Sequence, residues 1–415
     1  MAIIKPFPAL RPKDKYASII ASVPYDVVNR IEAKEQAKDN RLSLLHVTRA
    51  EIDLDDKISA YSPDVYQKAK SNLDEIINEG YLIIDEKPKF YLYKLTMDGR
   101  SQIGIAATFS VDDYDNDVIL KHEKTRKEKE DDRTNHIITT GAQTGPVFLT
   151  YRNVSLIDSI VEETIQAALP IYNFTSPDGI EHSIWILPQE KNQIIIDEIA
   201  KVKNLYIADG HHRAASASRA RKVKQDSNPA HNGSEAYNYF IAVLFPADQL
   251  KILPYNRIVL DLNGKSKDEI LNEISDKFSI DKNSTKEPVE RKTFGMYLDG
   301  EWYLLKANDS IIASGSLSKS VAENLDVSIL QDFLLNPVFG IDDPRTNKRI
   351  DFVGGIRGTK ELEKLVNSGK AAVAFSLFPV SVSDLMKISD AGEIMPPKST
   401  WFEPKLRDGL LVHLI

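Results

Sequence analysis

The sequence predicts a mixed α/β fold, α+β in its detail, and three observations carry that expectation. Apolar runs of strand length recur at 90–95, 103–109, 147–151, 205–208 and 240–246. Segments with helical spacing lie between them, most clearly 61–80. The two kinds alternate without the regular strand–helix–strand order of a simple parallel array.

The opening Ala2-Ile3-Ile4 reads as a short strand stopped by Pro6, Pro8 and Pro12. Residues 18–23 read as a second strand that ends at Pro24-Tyr25-Asp26. A helix is expected over 29–39, with Asn29 as N-cap and Glu32 three residues on. Residues 61–80 place Val65, Ala69, Leu73 and Ile76 on one helical face, with Gly80 as the stop. Sheet follows at 90–95, 103–109 and 118–121, with Asp98-Gly99 as a hairpin turn. The acidic stretch 112–115 reads as a loop, and so does most of the charged run 121–133, above all 126–130. A turn at Gly141–Gly145 then leads to strand 147–151, helix 156–169, strand 182–187 and helix 189–202. Strand 205–208 breaks at Asp209-Gly210, and a helix runs from about 212 to 224. Strand 240–246 follows a polar loop. Past 258 the composition resets to helix 267–278, a hairpin around Asp299-Gly300 and helix 327–335. The domain boundary is therefore drawn near 260–265, giving domains 1–262 and 263–415.

Composition limits the function. The hydrophobic fraction of 42% over 415 residues supports two cores, and no tract resembles a disordered region. A net charge of -8 argues against broad attraction to nucleic acid or an anionic membrane, although it leaves room for a small basic pocket. With no cysteine, thiol catalysis and thiolate metal sites are excluded. No run resembles a signal peptide or a membrane span, so the cytoplasm is the expected location. The expected partner is a small-molecule substrate, with a homodimer as the oligomer to test for.

The chemistry concentrates at Asp209-Gly210-His211-His212-Arg213. Gly210 permits a tight turn, and the amides of the helix behind it can bind an anion. His211, His212 and Arg213 stand where donors to phosphate are needed, and Arg213 offers a bidentate fork. Asp209 is placed to act as a base or to hold a metal ion such as Mg2+. The structural alternative is that Asp209 caps the helix and the histidines are surface residues.

Three further groups are candidates. His122, Glu123, Thr125 and Arg133 sit in the charged run. Lys398, Ser399 and Thr400 follow Pro396-Pro397 and offer a cation and two hydroxyls to phosphate oxygens, without P-loop spacing. Asp26, His46, Arg49 and Glu51 mix with apolar neighbours as a site edge would, although His46 also fits a satisfied core histidine. Arg49 and Arg133 suit a substrate carboxylate or a second phosphate. His136, His182, His231 and His413 read as structural.

These segments together resemble a bacterial and archaeal family, domain of unknown function 1015. The residues that carry the resemblance are PYDVV (24–28), LLHVTRAEIDL (44–54), KHEKT with DDR and GPVFL (121–149), ADGHHR (208–213), LDVSIL (325–330) and MPPKSTWFEPKL (395–406). The chain departs from the commoner pattern at Gly145, where Ser is frequent, and at Tyr255-Asn256-Arg257, where Thr-His-Arg is common. That family is distantly similar to the ParB/sulfiredoxin superfamily, whose free-serine kinases carry a similar Asp-Gly-His-x-Arg turn.

The resemblance implies a ParB/sulfiredoxin-like core with large insertions in 1–262 and a C-terminal α+β region that contributes the MPPKST loop. It implies Asp209 as catalytic acid/base, His211, His212 and Arg213 on the phosphates, and Glu51 as the counterpart of the kinases' N-terminal glutamate. It further implies phosphoryl transfer between ATP, ADP or pyrophosphate and a small hydroxyl compound such as free L-serine, with Mg2+ alongside and phosphoserine as the reverse substrate. Two other classes compete. One is a ParB-like nucleotide-responsive DNA-binding or regulatory module, which the acidic charge disfavours. The other is a metal-dependent hydrolase with His122, His211 and His212 as ligands, which the adjacency of two histidines disfavours.

Overall fold

A computed structural model describes residues 1–282, 285–311 and 320–415. The chain forms two compact units, 1–250 with 404–415, and 251–403. This differs from the expected division into 1–262 and 263–415 at both ends of the second unit. Strand Tyr255–Val259 pairs with Ile350–Gly354 and Val373–Leu377, partners about a hundred residues ahead that a local reading does not see. The last strand, His413–Leu414, pairs back onto Ala142–Gln143 of the first unit.

The first unit is built on a nine-stranded mixed sheet. Its order is Ile119–Leu120, Leu205–Asp209, Val147–Tyr151, Tyr239–Pro246, Arg100–Ser110, Tyr91–Met97, Glu181–Ile186, Tyr172–Thr175, with Ile4–Lys5 also on Arg100–Ser110. Two pairings are parallel, 119–120 with 205–209 and 147–151 with 239–246, and the rest are antiparallel. The expected hairpin at Asp98-Gly99 forms with both residues at positive φ, 51° and 74°. Leu149, Ile207 and Leu244 of the sheet and Ala214 and Ala217 of helix His211–Asp226 share one buried core. The two alanines let that helix lie close to the sheet.

Three local expectations are corrected. Residues Ala17–Ile20 form a helical turn rather than a strand, although Ile19 and Ile20 favour extended backbone. Val111–Asp115 is a short helix capped by Ser110, not a loop. The charged run continues into a 14-residue helix, Lys127–Thr140. Its buried face is polar, which hides it from a hydrophobic pattern: Asp132 accepts from the Tyr66 hydroxyl at 3.1 Å, and His136 meets the Val47 carbonyl at 2.9 Å. Its outer face holds a Lys127–Asp131 pair at 2.7 Å.

The second unit carries a six-stranded antiparallel sheet in the order Phe278–Lys282, Glu301–Ala307, Thr293–Leu298, Val373–Leu377, Tyr255–Val259, Ile350–Gly354. The expected helix 267–278 spans Lys267–Ser275 and starts from a capping box on Ser266 and Glu269. Among the described residues no helix is long and apolar enough to cross a membrane.

Candidate functional site

Strand Leu205–Asp209 lies second from one edge of the first unit's sheet, and its register against Val147–Tyr151 shifts between Ile207 and Asp209. Such a bulge re-aims the end of a strand. Gly210 follows at φ 90° and ψ 29°, a left-handed conformation that glycine adopts without a Cβ penalty. The 16-residue helix His211–Asp226 then begins with no side chain capping it. Its first carbonyl, Gly210, accepts from the amides of Arg213 at 2.9 Å and Ala214 at 3.1 Å. The amides of His211 and His212 lie ahead of those bonds, at the positive end of the helix dipole.

Asp209 does not cap this helix. Its carboxylate is half-buried and pairs with Lys405 Nζ at 2.7 Å. Burial pushes its pKa up, but Lys405, Arg213 and His211 outweigh that and hold it at about 2. Asp209 is therefore ionised at any physiological pH.

His211 is buried and lies 3.9 Å from Glu123 through Nδ1, while its Nε2 has no hydrogen-bond partner. The ring of His122 meets it edge to face at 4.5 Å, and neither nitrogen of His122 is hydrogen-bonded. Burial drives both pKa values down, to about 3 for His122 and about 4 for His211. Both are neutral imidazoles at pH 7. A buried ring nitrogen without a hydrogen bond costs free energy, and three such nitrogens lie together beside this helix end. His212 turns away and accepts from the Arg126 amide at 3.1 Å.

Arg213 is engaged by protein rather than standing free. Its guanidinium donates to the Pro146 carbonyl at 2.9 Å, lies 3.4 Å from Asp408 and 3.6 Å from Asp26, and sits over the Tyr25 ring at 5.5 Å. Arg133 covers the same ring at 4.2 Å while bonding Asp132 at 2.9 Å and the Thr48 carbonyl at 3.2 Å. Tyr25, Arg133, Gly145, Arg213 and Asp408 line a cavity of about 40 Å³, room for a very few water-sized groups. Asp408 is 1% exposed, and its Oδ1 faces Arg213 at 3.4 Å without a hydrogen bond. Burial raises its pKa to about 6 against the pull of Arg213. A Cβ at Gly145 would overlap the Asp408 carboxylate, so the glycine gives that carboxylate its present position.

The remaining candidates fall into place around this. Arg49 pairs with buried Glu51 at 2.8 Å and donates to the Tyr25 carbonyl at 3.2 Å, so both brace the Tyr25 wall. Thr125 donates to Glu130. His46 is satisfied at both nitrogens, by Asp53 at 2.7 Å and the Asn40 carbonyl at 3.2 Å, which matches its structural reading. Lys398, Ser399 and Thr400 belong to the second unit, where exposed Lys398 reaches over the Tyr255 ring at 5.5 Å and the Ser399 hydroxyl donates to the Pro396 carbonyl at 2.6 Å. Sequence reasoning missed Lys405 and Asp408, whose partners lie about two hundred residues away. Among the described residues no group of three or more His, Asp or Glu is arranged to hold a metal ion, which removes the basis for a hydrolase with His122, His211 and His212 as ligands.

The first unit is thus a mixed-sheet domain with an open helix end flanked by an ionised carboxylate and neutral imidazoles. The chain belongs to the family described as "Protein of unknown function (DUF1015)", whose model matches residues 4–328. No curated protein matches it in sequence. Among solved structures it is similar to a conserved hypothetical protein from Pyrococcus furiosus (13% identity, 74% of this chain and 95% of that one, TM-score 0.34). It is also similar to a free serine kinase in complex with AMP (10%, 74% and 91%, 0.35) and to truncated SbnI from Staphylococcus aureus (13%, 74% and 87%, 0.38). Likeness at this level says nothing about activity.

Proposed function

We propose that this chain is a small-molecule phosphotransferase that moves phosphate between a nucleotide or pyrophosphate and a small hydroxyl compound such as free L-serine. The observation that carries the reading is the uncapped amino end of helix His211–Asp226, with ionised Asp209 immediately before it and buried His211 immediately after. The Asp-Gly-His-x-Arg resemblance seen in the sequence agrees with it.

Phosphoryl transfer asks mainly for charge neutralisation and alignment. In this reading the amide of His211, at the positive end of the helix dipole, holds a phosphate oxygen. Neutral His211 and His122 donate hydrogen bonds without adding charge. Lys405 offsets the charge that builds on the transferring group. A carboxylate with a pKa near 2 is a weak base. Asp209 therefore orients the acceptor hydroxyl and takes its proton only as the new P–O bond forms. One carboxylate together with the donor's own phosphates suits Mg2+, which would arrive with the donor and neutralise its charge. Arg213 acts indirectly, by fixing Asp26, Asp408 and Tyr25 against the turn.

The test is a transfer screen of serine, threonine, homoserine and small polyols against ATP, ADP and pyrophosphate. A phosphorylated product from at least one pair is expected. No transfer from any pair, with folded protein and Mg2+ present, overturns the reading.

A further inference from the structure

The second unit buries a cation that no anion neutralises. Arg257 lies within strand Tyr255–Val259, paired on both sides, and is 4% exposed. Its guanidinium donates to the carbonyls of Tyr255 and Pro397 and lies over the Phe352 ring at 5.3 Å. No carboxylate among the described residues lies within ion-pair distance of it, and residues 283–284 and 312–319 contain no acidic side chain. Burial accordingly lowers its pKa to about 10, opposed only by Tyr255. The deeply placed arginines of the first unit are different: Arg11, Arg133, Arg213 and Arg407 each face a carboxylate, on Asp85, Asp132, Asp408 and Asp178. Two carbonyl bonds satisfy donors but leave a full charge out of water, which is costly.

The surroundings are aromatic, with a second cation close by. Tyr255 and Arg257 share one face of the sheet, and Phe352 stands opposite Arg257 with Gly354 opposite Tyr255. A Cβ at Gly354 would come within 2.8 Å of the Trp401 ring, so the glycine makes room for that ring beside Tyr255, 5.2 Å away. Lys398, held at a φ of 56°, brings a second ammonium over Tyr255. Non-glycine residues adopt that backbone only when their surroundings impose it. Arg257 over Phe352 and Lys398 over Tyr255 thus place two cations on neighbouring rings, whose centroids are 6.1 Å apart.

We propose that Arg257 and Lys398 form an oxyanion-binding site in the second unit that takes the phosphate or carboxylate group of a small molecule. The proposal does not depend on phosphate transfer at Asp209. Its competitor is a guanidinium that merely ties the Pro397 loop to the strand.

The experiment uses the full chain in chloride buffer, with thermal unfolding and calorimetric titration by inorganic phosphate, pyrophosphate and acetate. At least one of these should raise the wild-type melting temperature, and which one does separates a phosphate from a carboxylate ligand. Arg257→Gln should weaken one binding step by about tenfold or more, while melting in chloride no lower than wild type. Lys398→Gln should weaken the same step by a smaller factor. If no oxyanion stabilises the wild type, or if Arg257→Gln binds them all unchanged, the site does not exist. Should Arg257→Gln not fold, unchanged affinity in Lys398→Gln overturns the proposal equally.

Discussion

Arg213, mostly buried, and Arg257, buried, both donate to backbone carbonyls, yet their electrostatic surroundings are opposite. Arg213 lies among Asp408, Asp26 and a carbonyl, so its charge is spent inside the protein. Arg257 has carbonyls and an aromatic ring but no carboxylate. A motif reading values the arginine that stands beside a glycine turn. The physical reading asks which arginine still has a charge to offer, and that is Arg257.

Stability measurements should break this comparison first. Arg213→Met strands a carboxylate that is 1% exposed and should cost about 3 kcal/mol in denaturant unfolding. Arg257→Met removes an unpaired charge and should stay within about 1 kcal/mol of wild type in chloride. Equal losses would mean that the two arginines have the same structural role. Next in size, Gly210→Ala forces a side chain into a φ of 90° and should cost about 1–2 kcal/mol, read by the same unfolding.

Acid titration sharpens the contrast between satisfied and unsatisfied histidines. Burial holds His122 and His211 below their ordinary pKa of 6.5 in the folded chain. The unfolded chain therefore binds more protons. Stability is full above about pH 6.5 and falls as pH drops towards 4, by about 1.4 kcal/mol per pH unit for each such histidine. His122→Gln should flatten that slope by one such share. His46 has the opposite sign, because its bond to Asp53 raises its pKa and adds stability that is lost as pH rises through the folded value. His46→Gln should remove that alkaline-side loss. The smallest effect expected is on the acid limb of any activity profile. Lys405→Gln removes a cation that lowers Asp209, so the limb should move to higher pH.

The parts legible in sequence were those made by neighbours. Strand, Asp, Gly, two histidines and an arginine are consecutive, and the turn formed where the chain predicted it. Helix 30–37 carries its own cap in Asn29 and Glu32, and it too was visible. What escaped was set by distant contacts. Lys405 meets Asp209 across 196 positions, and Asp408 approaches Arg213 from the same returning segment. Helix Lys127–Thr140 escaped because it buries Asp132 and His136 rather than an apolar stripe. His122 and His46 could not be separated by type or spacing. Only the hydrogen bonds around each ring, absent in one and complete in the other, distinguish the two.

Replacing the carboxylate of Asp209 tests the central claim most directly. With a donor and acceptor identified by the screen, Asp209→Asn should bind nucleotide within about twofold of wild type and lose transfer by about a hundredfold or more. Transfer at the wild-type rate in that variant would contradict the account.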